Sequence, residues 1–404
     1  MNASVTTPNA ARASVEAEAP PRRILVVHQS AELYGSDRSL LELLADSDRR
    51  RVDWVVCLPG EGALAQALRV QGIEVHILAL LKISRRLLSL SGLWSAGFRA
   101  AASLRSLDRL VAGRRIDLVY TNTLAVFDGM LWAMFRRRPH VWHVREIIRK
   151  PRLVSLALRR IAHFGADRLI CNSGPTLAWL TGAGKTAAKA SVVWNGVQAQ
   201  PLAREARISA RVRLGLHRHL PMLLMVGRVN HWKGQDLLLE AVERLTQCGC
   251  REFQLVLVGG AVPGQENLMD RLLQLVGSSP ASARIIVREF AEDILDYYRA
   301  ADCLVVPSRE PEPFGRVAIE AMSLGVAVVA AGHGGLTEIV SHGHTGLLFA
   351  PNDAGALSSA LERVLAEPAV RDTWGRNGHS RQQEFFSLTA YREAMGGVFS
   401  AVLQ

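Results

Sequence analysis

Two acidic residues separated by seven positions, Glu312 and Glu320, lie where this 404-residue chain has its clearest potential for chemistry. An apolar run at 303–307 predicts a buried strand before them, and apolar residues at helical spacing over 315–324 predict a helix. Glu312 then lies in the loop before a helix N-terminus, where unpaired backbone N–H groups favour anions. Glu320 lies about one and a half turns into that helix and can face the same cleft. A carboxylate beside an anion-binding helix end suggests a ligand with both hydroxyls and phosphates, such as a nucleotide sugar.

A second polar loop joins a predicted strand at 222–226 to a predicted helix at 236–245. Two cations at the carboxyl end of a strand suit a diphosphate, and glycines beside them allow the backbone to approach a ligand closely. The residues concerned are Gly227, Arg228, Lys233 and Gly234.

Strands and helices alternate along both halves of the chain, which predicts an α/β protein with two doubly wound, Rossmann-like domains facing a cleft. Strands are predicted at 22–29, 52–58, 74–78, 116–121, 140–144, 168–171 and 191–195, then at 222–226, 253–258, 284–287, 302–306 and 327–330. The predicted organisation is a disordered lead-in (1–21), an N-terminal domain (22–198), a C-terminal domain (199–385) and a last helix (386–404) that crosses back to the first domain. Further helices are predicted at 37–45, 352–366 and 390–404.

Ligands of doubly wound sheets bind beyond the carboxyl ends of the strands. In the N-terminal half this edge should hold Gly35, Asn122, His143 and the pair at 172–173. His143, at the end of a predicted strand, is either a ligand-facing histidine or a histidine hydrogen-bonded within the fold, and its position at the ligand edge favours the first.

The positive charge of the chain is concentrated in its first half. Residues 22–200 contain 27 Lys or Arg against 13 Asp or Glu, a net charge of +14, whereas residues 201–404 carry a net charge of −2. Nucleic acid is not expected as a partner, because no nucleic-acid motif is present and aromatic residues are only 6% of the chain. Binding to an anionic membrane face and binding of a phosphate-bearing substrate each explain why the positive charge lies in one half of the chain.

The stretch 80–111 mixes leucines and aromatics with cations such as Arg85, Arg86 and Arg99. It is either a basic amphipathic segment lying in a membrane interface or a set of helices that pack one face on the sheet. The N-terminus lacks the basic start and apolar core of a signal peptide, and the five cysteines lie mostly in apolar runs. These features predict a cytoplasmic protein with reduced thiols.

Taken together, these stretches resemble the retaining glycosyltransferases of family 4, which have the GT-B fold. The resemblance runs from about residue 24 to the end. Two departures are visible: Gln198 stands where the family usually has Asp, and the glycine-rich loop is reduced to Tyr34-Gly35-Ser36-Asp37. The motifs that carry the resemblance are Glu312-Pro313-Phe314-Gly315 with Glu320, Gly227-Arg228 with Lys233-Gly234, Gly334-Gly335 with Glu338-Ile339-Val340, Asn195-Gly196-Val197, and Thr345 to Asp353.

The resemblance implies that the N-terminal domain forms the acceptor side and that the C-terminal domain binds the nucleotide sugar. It also implies a role for each matched residue. Arg228 and Lys233 would neutralise the donor diphosphate as the sugar leaves. Glu320 would bind the ribose hydroxyls, and Glu312 the hydroxyls of the transferred sugar. His143 would lie near the anomeric carbon. The remaining donor-binding residues would be Gly35, Gly227, Pro313, Phe314 and Gly315, and Arg145 and Glu146 would line the acceptor side.

No metal or other cofactor is expected, because cationic side chains and a helix end would stabilise the diphosphate. An Asp-Ser-Asp at 46–48 superficially matches the metal-binding D-x-D of the other glycosyltransferase fold. It closes a predicted helix instead of a strand, so it is interpreted as surface charge.

The resemblance predicts a cytoplasmic enzyme that moves a hexose from a nucleoside diphosphate sugar to an acceptor hydroxyl with retention. The basic first half favours a lipid-linked or saccharide acceptor in polysaccharide or glycolipid synthesis, with peripheral contact to the inner face of the plasma membrane. Two alternatives stay open: a nucleotide-sugar epimerase of the same fold, and a non-catalytic nucleotide-sugar-binding subunit.

Overall fold

The computed structural model describes residues 20–45, 51–81, 90–182, 188–202, 205–250, 252–261, 264–289 and 294–404. Most of the predicted lead-in, the Asp-Ser-Asp at 46–48, and the cations Arg85 and Arg86 lie outside these residues. Among the described helices, none combines the length and the apolar character needed to cross a bilayer.

The N-terminal domain is built on a parallel sheet with the order β3-β2-β1-β4-β5-β6-β7 within the described residues. Its strands are β1 (Arg22–Val27), β2 (Val52–Leu58), β3 (Glu74–Ile77), β4 (Leu118–Thr121), β5 (His140–Val144), β6 (Arg168–Cys171) and β7 (Ala190–Val192). The central strands β1, β4 and β5 are buried along most of their length because both faces of the sheet are covered by helices. These helices are α1 (Gly35–Leu44), α2 (Ala63–Val70), α3 (Leu90–Leu110), α4 (Asp128–Arg136), α5 (Arg152–Gly165) and α6 (Gly174–Thr181).

The C-terminal domain repeats this plan with the strand order β10-β9-β8-β11-β12-β13. Its strands are β8 (Met222–Val226), β9 (Gln254–Val258), β10 (Ile285–Arg288), β11 (Cys303–Val306), β12 (Ala327–Ala331) and β13 (Gly346–Phe349). Its helices are α7 (Glu205–Arg213), α8 (Gln235–Gln247), α9 (Asn267–Ser278), α10 (Ile294–Ala300), α11 (Arg316–Ser323), α12 (Leu336–Ile339), α13 (Ala354–Ala366) and α14 (Pro368–Phe385), with a short 3-10 helix at Ser282–Arg284. Two parallel, doubly wound domains confirm the predicted fold class.

Two elements of the C-terminal domain were absent from the sequence prediction. Strand β13 is only four residues long and lies at the edge of the sheet, so its apolar run is short. Helix α14 is mostly polar and packs through glycines instead of an apolar stripe: a Cβ on Gly375 would lie 2.0 Å from the carbonyl oxygen of Gly325. Close packing through glycine leaves little helical periodicity to recognise.

The last helix, α15 (Leu388–Leu403), returns to the N-terminal domain. Met395 and Phe399 lie in the core of that domain, and the Phe399 ring packs edge-on against Tyr120 with centroids 5.3 Å apart. The chain therefore passes between the domains twice. The two crossings lie side by side, since Val197 N donates to Phe386 O at 3.0 Å and Leu388 N donates to Val197 O at 3.1 Å.

Helix α3 occupies much of the basic stretch at 80–111. Ser103 and Leu107 are buried, whereas Phe98 is 77% exposed and Arg99 is exposed. Over this part of the stretch one helix face packs on the domain while the other faces outward, as the packing interpretation predicts.

Candidate active site

A cavity of about 270 Å³ lies between the two domains, beyond the carboxyl ends of strands from both sheets. Parallel strands bring the loops after them to one edge, so residues distant in sequence meet there. Every predicted donor-side residue lines this cavity: Gly35, Gly227, Arg228, Lys233, Glu312, Pro313, Phe314, Gly315 and Glu320.

Lys233 and Glu312 form an ion pair across the C-terminal side of the cavity, with Nζ 2.7 Å from Oε1. The hydroxyl of Ser308 donates to the same carboxylate oxygen at 2.5 Å. Burial alone would raise the pKa of Glu312, but the charge of Lys233 and the hydrogen bonds from Lys233 and Ser308 outweigh it, and the pKa lies below its ordinary value. Glu312 is therefore an ionised, hydrogen-bonded carboxylate that can orient donors such as sugar hydroxyls.

Glu320 lies further along the cavity on α11. Its Oε2 accepts a hydrogen bond from the buried Tyr298 hydroxyl at 2.8 Å, and its Oε1 accepts from Arg316 Nε at 2.7 Å. A carboxylate has about four acceptor sites, so about two remain for further donors. This arrangement suits a pair of neighbouring hydroxyls.

Two glycines let backbone segments meet tightly around these side chains. Gly234 precedes α8 with φ +80°, and a Cβ there would lie 2.1 Å from Pro307 O. Gly334 has φ +63°, and a Cβ there would lie 2.3 Å from Glu312 O. Larger residues would displace the loops that carry Lys233 and Glu312, because both the backbone angle and the space favour glycine.

Arg228 lies at the mouth of the cavity, with its guanidinium 5.0 Å from the centre of the Tyr34 ring on the other domain. Such a cation–π contact does not use the guanidinium N–H groups as hydrogen-bond donors, so they can still bind anions. Gly35, next to Tyr34, is the first residue of α1 and lines the cavity.

Arg145, directly after β5, is a cation of the N-terminal domain that lies in the cavity wall. Its Nε donates to Asn122 at 2.8 Å, and its two terminal nitrogens donate to Asn195 at 2.7 Å and to the Tyr391 hydroxyl at 3.0 Å. Because these partners are neutral, the guanidinium charge is not cancelled by them. Arg145 can attract an anionic or hydroxyl-rich group.

Glu146, predicted beside Arg145 on the acceptor side, does not line the cavity. Its carboxylate accepts hydrogen bonds from the Thr123 hydroxyl, from Leu124 N at 3.1 Å and from Arg145 N at 3.0 Å. The carboxylate is therefore turned toward the loop after β4, and it holds the backbone around Arg145.

His143 is fully buried and is likewise not among the residues that line the cavity. Its Nδ1 lies 2.9 Å from the Tyr120 hydroxyl, and its Nε2 has no hydrogen-bond partner within the described residues. Burial, and then the charge of Arg145, lower its pKa well below the ordinary value, so the imidazole is neutral. Residues two apart on a strand share a face, so Arg145, directly after β5, follows His143 on the same face of the sheet. The side chain of Arg145 lines the cavity, whereas that of His143 does not.

Residues of the cavity wall that the sequence did not single out include Arg38, Trp232 and Arg316. Arg316 directly follows the Glu-Pro-Phe-Gly motif and precedes Glu320 by four positions, a spacing that places both on one helix face. This spacing could have predicted from the sequence that Arg316 lies beside Glu320.

Glu338, part of a motif expected at the ligand edge, instead joins the domains. It accepts from Gly174 N at 2.9 Å, at the N-terminus of α6, and from Trp194 Nε1 at 2.8 Å. Ser173 Oγ also crosses between the domains and donates to Pro313 O at 2.5 Å. The hydrogen bond from Ser173 holds the loop after Glu312 against the N-terminal domain.

Two family models match the chain. The model described as Glycosyltransferase Family 4 covers residues 35–200, and the model described as Glycosyl transferases group 1 covers residues 207–381. The chain belongs to this family of glycosyltransferases. The matches divide close to residue 200, where the two domains of the structure also meet.

Named relatives within the family include two proteins called D-inositol 3-phosphate glycosyltransferase. The one from Thermobifida fusca is 34% identical over 243 residues, which cover 57% of this chain and 56% of the relative. The one from Actinosynnema mirum is 36% identical over 224 residues, which cover 54% of each. The chain therefore spans about half the length of the curated relatives it matches.

Two solved structures share the whole architecture of the chain. Anabaena HepE in complex with UDP and glucose is 26% identical, covers 93% of this chain and 99% of its own, and superposes with a TM-score of 0.78. A glycosyltransferase from Rickettsia africae is 19% identical with a TM-score of 0.80 over 95% of this chain and 99% of its own. The latter likeness concerns the fold alone, and both confirm the GT-B architecture.

Proposed function

We propose that this protein is a retaining glycosyltransferase that moves a hexose from a nucleoside diphosphate sugar to an acceptor hydroxyl. The observation that carries the proposal is the Lys233–Glu312 ion pair, which lies in the interdomain cavity beside the N-terminus of α11. One site thus combines cations for a diphosphate with a carboxylate for sugar hydroxyls.

The donor is assigned to the C-terminal half of the cavity. Arg228 and Lys233 would contact the diphosphate, and the free acceptor sites of Glu320 would take the ribose hydroxyls. Glu312 would hold hydroxyls of the sugar. UDP-glucose is the first donor to test, because the HepE complex contains UDP and glucose.

The transfer breaks the bond between the anomeric carbon and the β-phosphate oxygen and forms a bond from that carbon to the acceptor oxygen on the same face. The acceptor proton goes to the leaving phosphate oxygen. Negative charge grows on the diphosphate as the sugar leaves, and Arg228 and Lys233 stabilise it without a metal ion. Glu312 is not assigned as a nucleophile, since Lys233 and Ser308 already hold its Oε1.

The acceptor is proposed to be lipid-linked or a saccharide, in cell-surface polysaccharide or glycolipid synthesis at the inner face of the plasma membrane. Helix α5 offers a surface for such contact. Its outward face carries Leu153, 82% exposed, and Phe164, 79% exposed, with Leu156 and Arg160 between them at helical spacing. Exposed apolar side chains on one helix face mark an interaction surface.

Cations surround the start of this helix. Arg149, Lys150 and Arg152 are all exposed, and they follow Arg145 of the cavity wall within seven residues. Cations attract anionic lipid headgroups while apolar side chains enter the interface. The proposed membrane face therefore begins close to the proposed acceptor side of the cavity.

The transfer is tested with the purified full chain, a panel of uridine, guanosine and adenosine diphosphate sugars, and acceptors that include phosphorylated inositol, oligosaccharides and lipid-linked sugars. Release of nucleoside diphosphate that depends on the acceptor, with a product of the donor's anomeric configuration by NMR, is the expected result. Donor conversion without an acceptor would identify an epimerase instead. Donor binding without any product across the panel would identify a binding subunit.

Membrane contact is tested by cosedimentation with vesicles of phosphatidylglycerol and phosphatidylcholine. Binding should fall with salt, and it should fall in a Leu153→Ser/Phe164→Ser variant. The matched control is Ile208→Ser/Val212→Ser, which removes two side chains of 48% exposure from α7 in the other domain. Equal binding by both variants, or self-association through this face in sedimentation velocity, would refute the membrane assignment.

A further inference from the structure

Arg316 connects the two domains at the rim of the cavity. From the first turn of α11 its guanidinium reaches Glu42 of α1, with terminal nitrogens 2.7 Å and 2.6 Å from the two carboxylate oxygens. One of these nitrogens also donates to Ser39 Oγ at 3.1 Å. The bidentate contact joins residues 274 positions apart in the chain.

The same guanidinium also holds Glu320 within its own domain, through Nε at 2.7 Å. Arg316 is 10% exposed, and Glu42 and Glu320 are 27% and 15% exposed. Two carboxylates on one shielded guanidinium leave little freedom for any of the three side chains, since charge-assisted and bidentate hydrogen bonds are the strongest and most directional kind.

The two helices joined in this way both begin at the cavity. α1 starts at Gly35 and α11 starts directly after Gly315, and both glycines line the cavity. The contact between Arg316 and Glu42 therefore ties the N-terminal edge of the cleft to its C-terminal edge. Glu42 itself is not part of the cavity wall.

We propose that Arg316 is a positioning residue that couples nucleotide binding at Glu320 to the approach of the two domains. The inference rests on the proposed function, because it requires a nucleotide whose ribose lies at Glu320. The ribose hydroxyls would take the acceptor sites that Tyr298 and Arg316 leave open, which completes a chain of contacts from ribose to Glu320, to Arg316, to Glu42.

The consequence is reciprocal. A Glu320 carboxylate fixed by Arg316 is preorganised for the ribose only while Glu42 holds Arg316 from the other domain. A bound ribose in turn favours the arrangement in which the domains are close. Glu42 should therefore affect nucleotide affinity although it does not line the cavity.

The test is a double-mutant cycle with Glu42→Gln and Arg316→Gln, measuring UDP affinity by calorimetry and the radius of gyration by small-angle X-ray scattering. We expect each single variant to bind UDP on the order of tenfold more weakly. The double variant should bind no more weakly than Arg316→Gln, because both changes break one coupling. Free Glu42→Gln should be more expanded than the wild type, and UDP should compact it less.

Glu61→Gln is the matched control, since Glu61 forms a bidentate pair with Arg69 inside the N-terminal domain. It should match the wild type in both measurements. If Glu42→Gln has the UDP affinity and radius of gyration of the wild type, the inference is overturned and the proposed function stands. The same holds if the losses of affinity of the two single variants simply add in the double variant. A wild-type protein that binds no nucleoside diphosphate would overturn both.

Discussion

Lys233 and Glu312 meet at 2.7 Å inside the interdomain cavity, although the loops that carry them follow different strands, β8 and β11. Their side chains are 16% and 7% exposed. Removing one partner of such a shielded pair leaves the other charge without compensation, and this costs more than the pair itself contributes. Each of the two side chains therefore stabilises the other's charge inside the cavity.

Replacing Lys233 by alanine should lower kcat/KM for the donor by about 100- to 1000-fold, because a cation aimed at the developing charge of the leaving diphosphate is lost. Steady-state kinetics with varied donor measures the effect. Arg376→Ala, which removes an exposed cation of α14 that does not line the cavity, is the control and should retain the wild-type value. Full activity of Lys233→Ala would contradict the assignment of the diphosphate to this loop.

Glu320 is expected to recognise the ribose. The wild type should bind UDP on the order of 10- to 100-fold more tightly than 2′,3′-dideoxyuridine diphosphate, since hydrogen bonds from the ribose hydroxyls to a charged acceptor are lost. In Glu320→Gln the ratio of the two affinities should fall toward one. Calorimetric titration with both nucleotides gives this ratio, which a general weakening of the site would leave unchanged. An undiminished ratio in the variant would place the ribose elsewhere.

Phe399 anchors the last helix in the N-terminal domain, where it is 6% exposed and packs on Tyr120 and Trp54. Phe399→Ala should lower the free energy of unfolding by about 3–5 kcal/mol, through lost burial and the cavity left behind. Urea unfolding followed by fluorescence and circular dichroism measures this loss. Phe385→Ala, which truncates a ring with 37% exposure, should cost clearly less. Equal losses would mean that α15 does not depend on its contact with the first domain.

The buried side chain of His140 should make the stability of the protein depend on pH. Its Nδ1 lies 2.6 Å from Gly165 O and its Nε2 lies 2.8 Å from Thr121 Oγ1, so the neutral ring donates through Nδ1 to the carbonyl and accepts at Nε2. Burial lowers its pKa to about 4. In the unfolded chain the pKa of a histidine is about 6.5, so as pH falls the unfolded state binds a proton before the folded state does. The free energy of unfolding should therefore fall by up to about 3 kcal/mol between about pH 6.5 and pH 4.

Denaturant unfolding between about pH 4.5 and 7.5, in steps of roughly half a unit, gives the slope of the free energy of unfolding against pH. His140→Gln should reduce it, and the buried His143, whose pKa is also lowered, should maintain part of it. His231→Gln, at an exposed position, should leave the wild-type slope intact. Parallel slopes for wild type and His140→Gln would contradict the prediction.

Much of the fold, and the set of C-terminal loops that meet at the cavity, was predictable from the sequence. The apolar runs of β8 and β11 are buried along almost their whole length, and the loops after them carry the paired Lys233 and Glu312 at one edge of the sheet. Such predictions succeed because strand periodicity and the parallel arrangement together determine which loops share an edge. Helix α14 escaped prediction because Gly375 and Gly378 pack it closely without an apolar stripe.

The orientation of side chains near strand ends was less predictable. His143 lies near the end of β5, and Arg145 and Glu146 follow that strand. Of these three residues only Arg145 lines the cavity. The choice depends on Tyr120, Asn122 and Tyr391, which come from another strand and from the last helix. No pattern within a window of sequence contains those partners.

The amino-acid sequence by itself determined the two doubly wound domains, the loops that carry Arg228, Lys233 and Glu312, and the family. These are local properties: the alternation of apolar runs, the glycines at turns and the order of short motifs. Only the tertiary structure decided that Arg316 pairs with Glu42 and that Arg145 reaches Tyr391, 246 positions away. The first contact depends on how the two domains are placed against each other, and the second on the return of α15 to the N-terminal domain. Both arrangements are set by surfaces from distant parts of the chain.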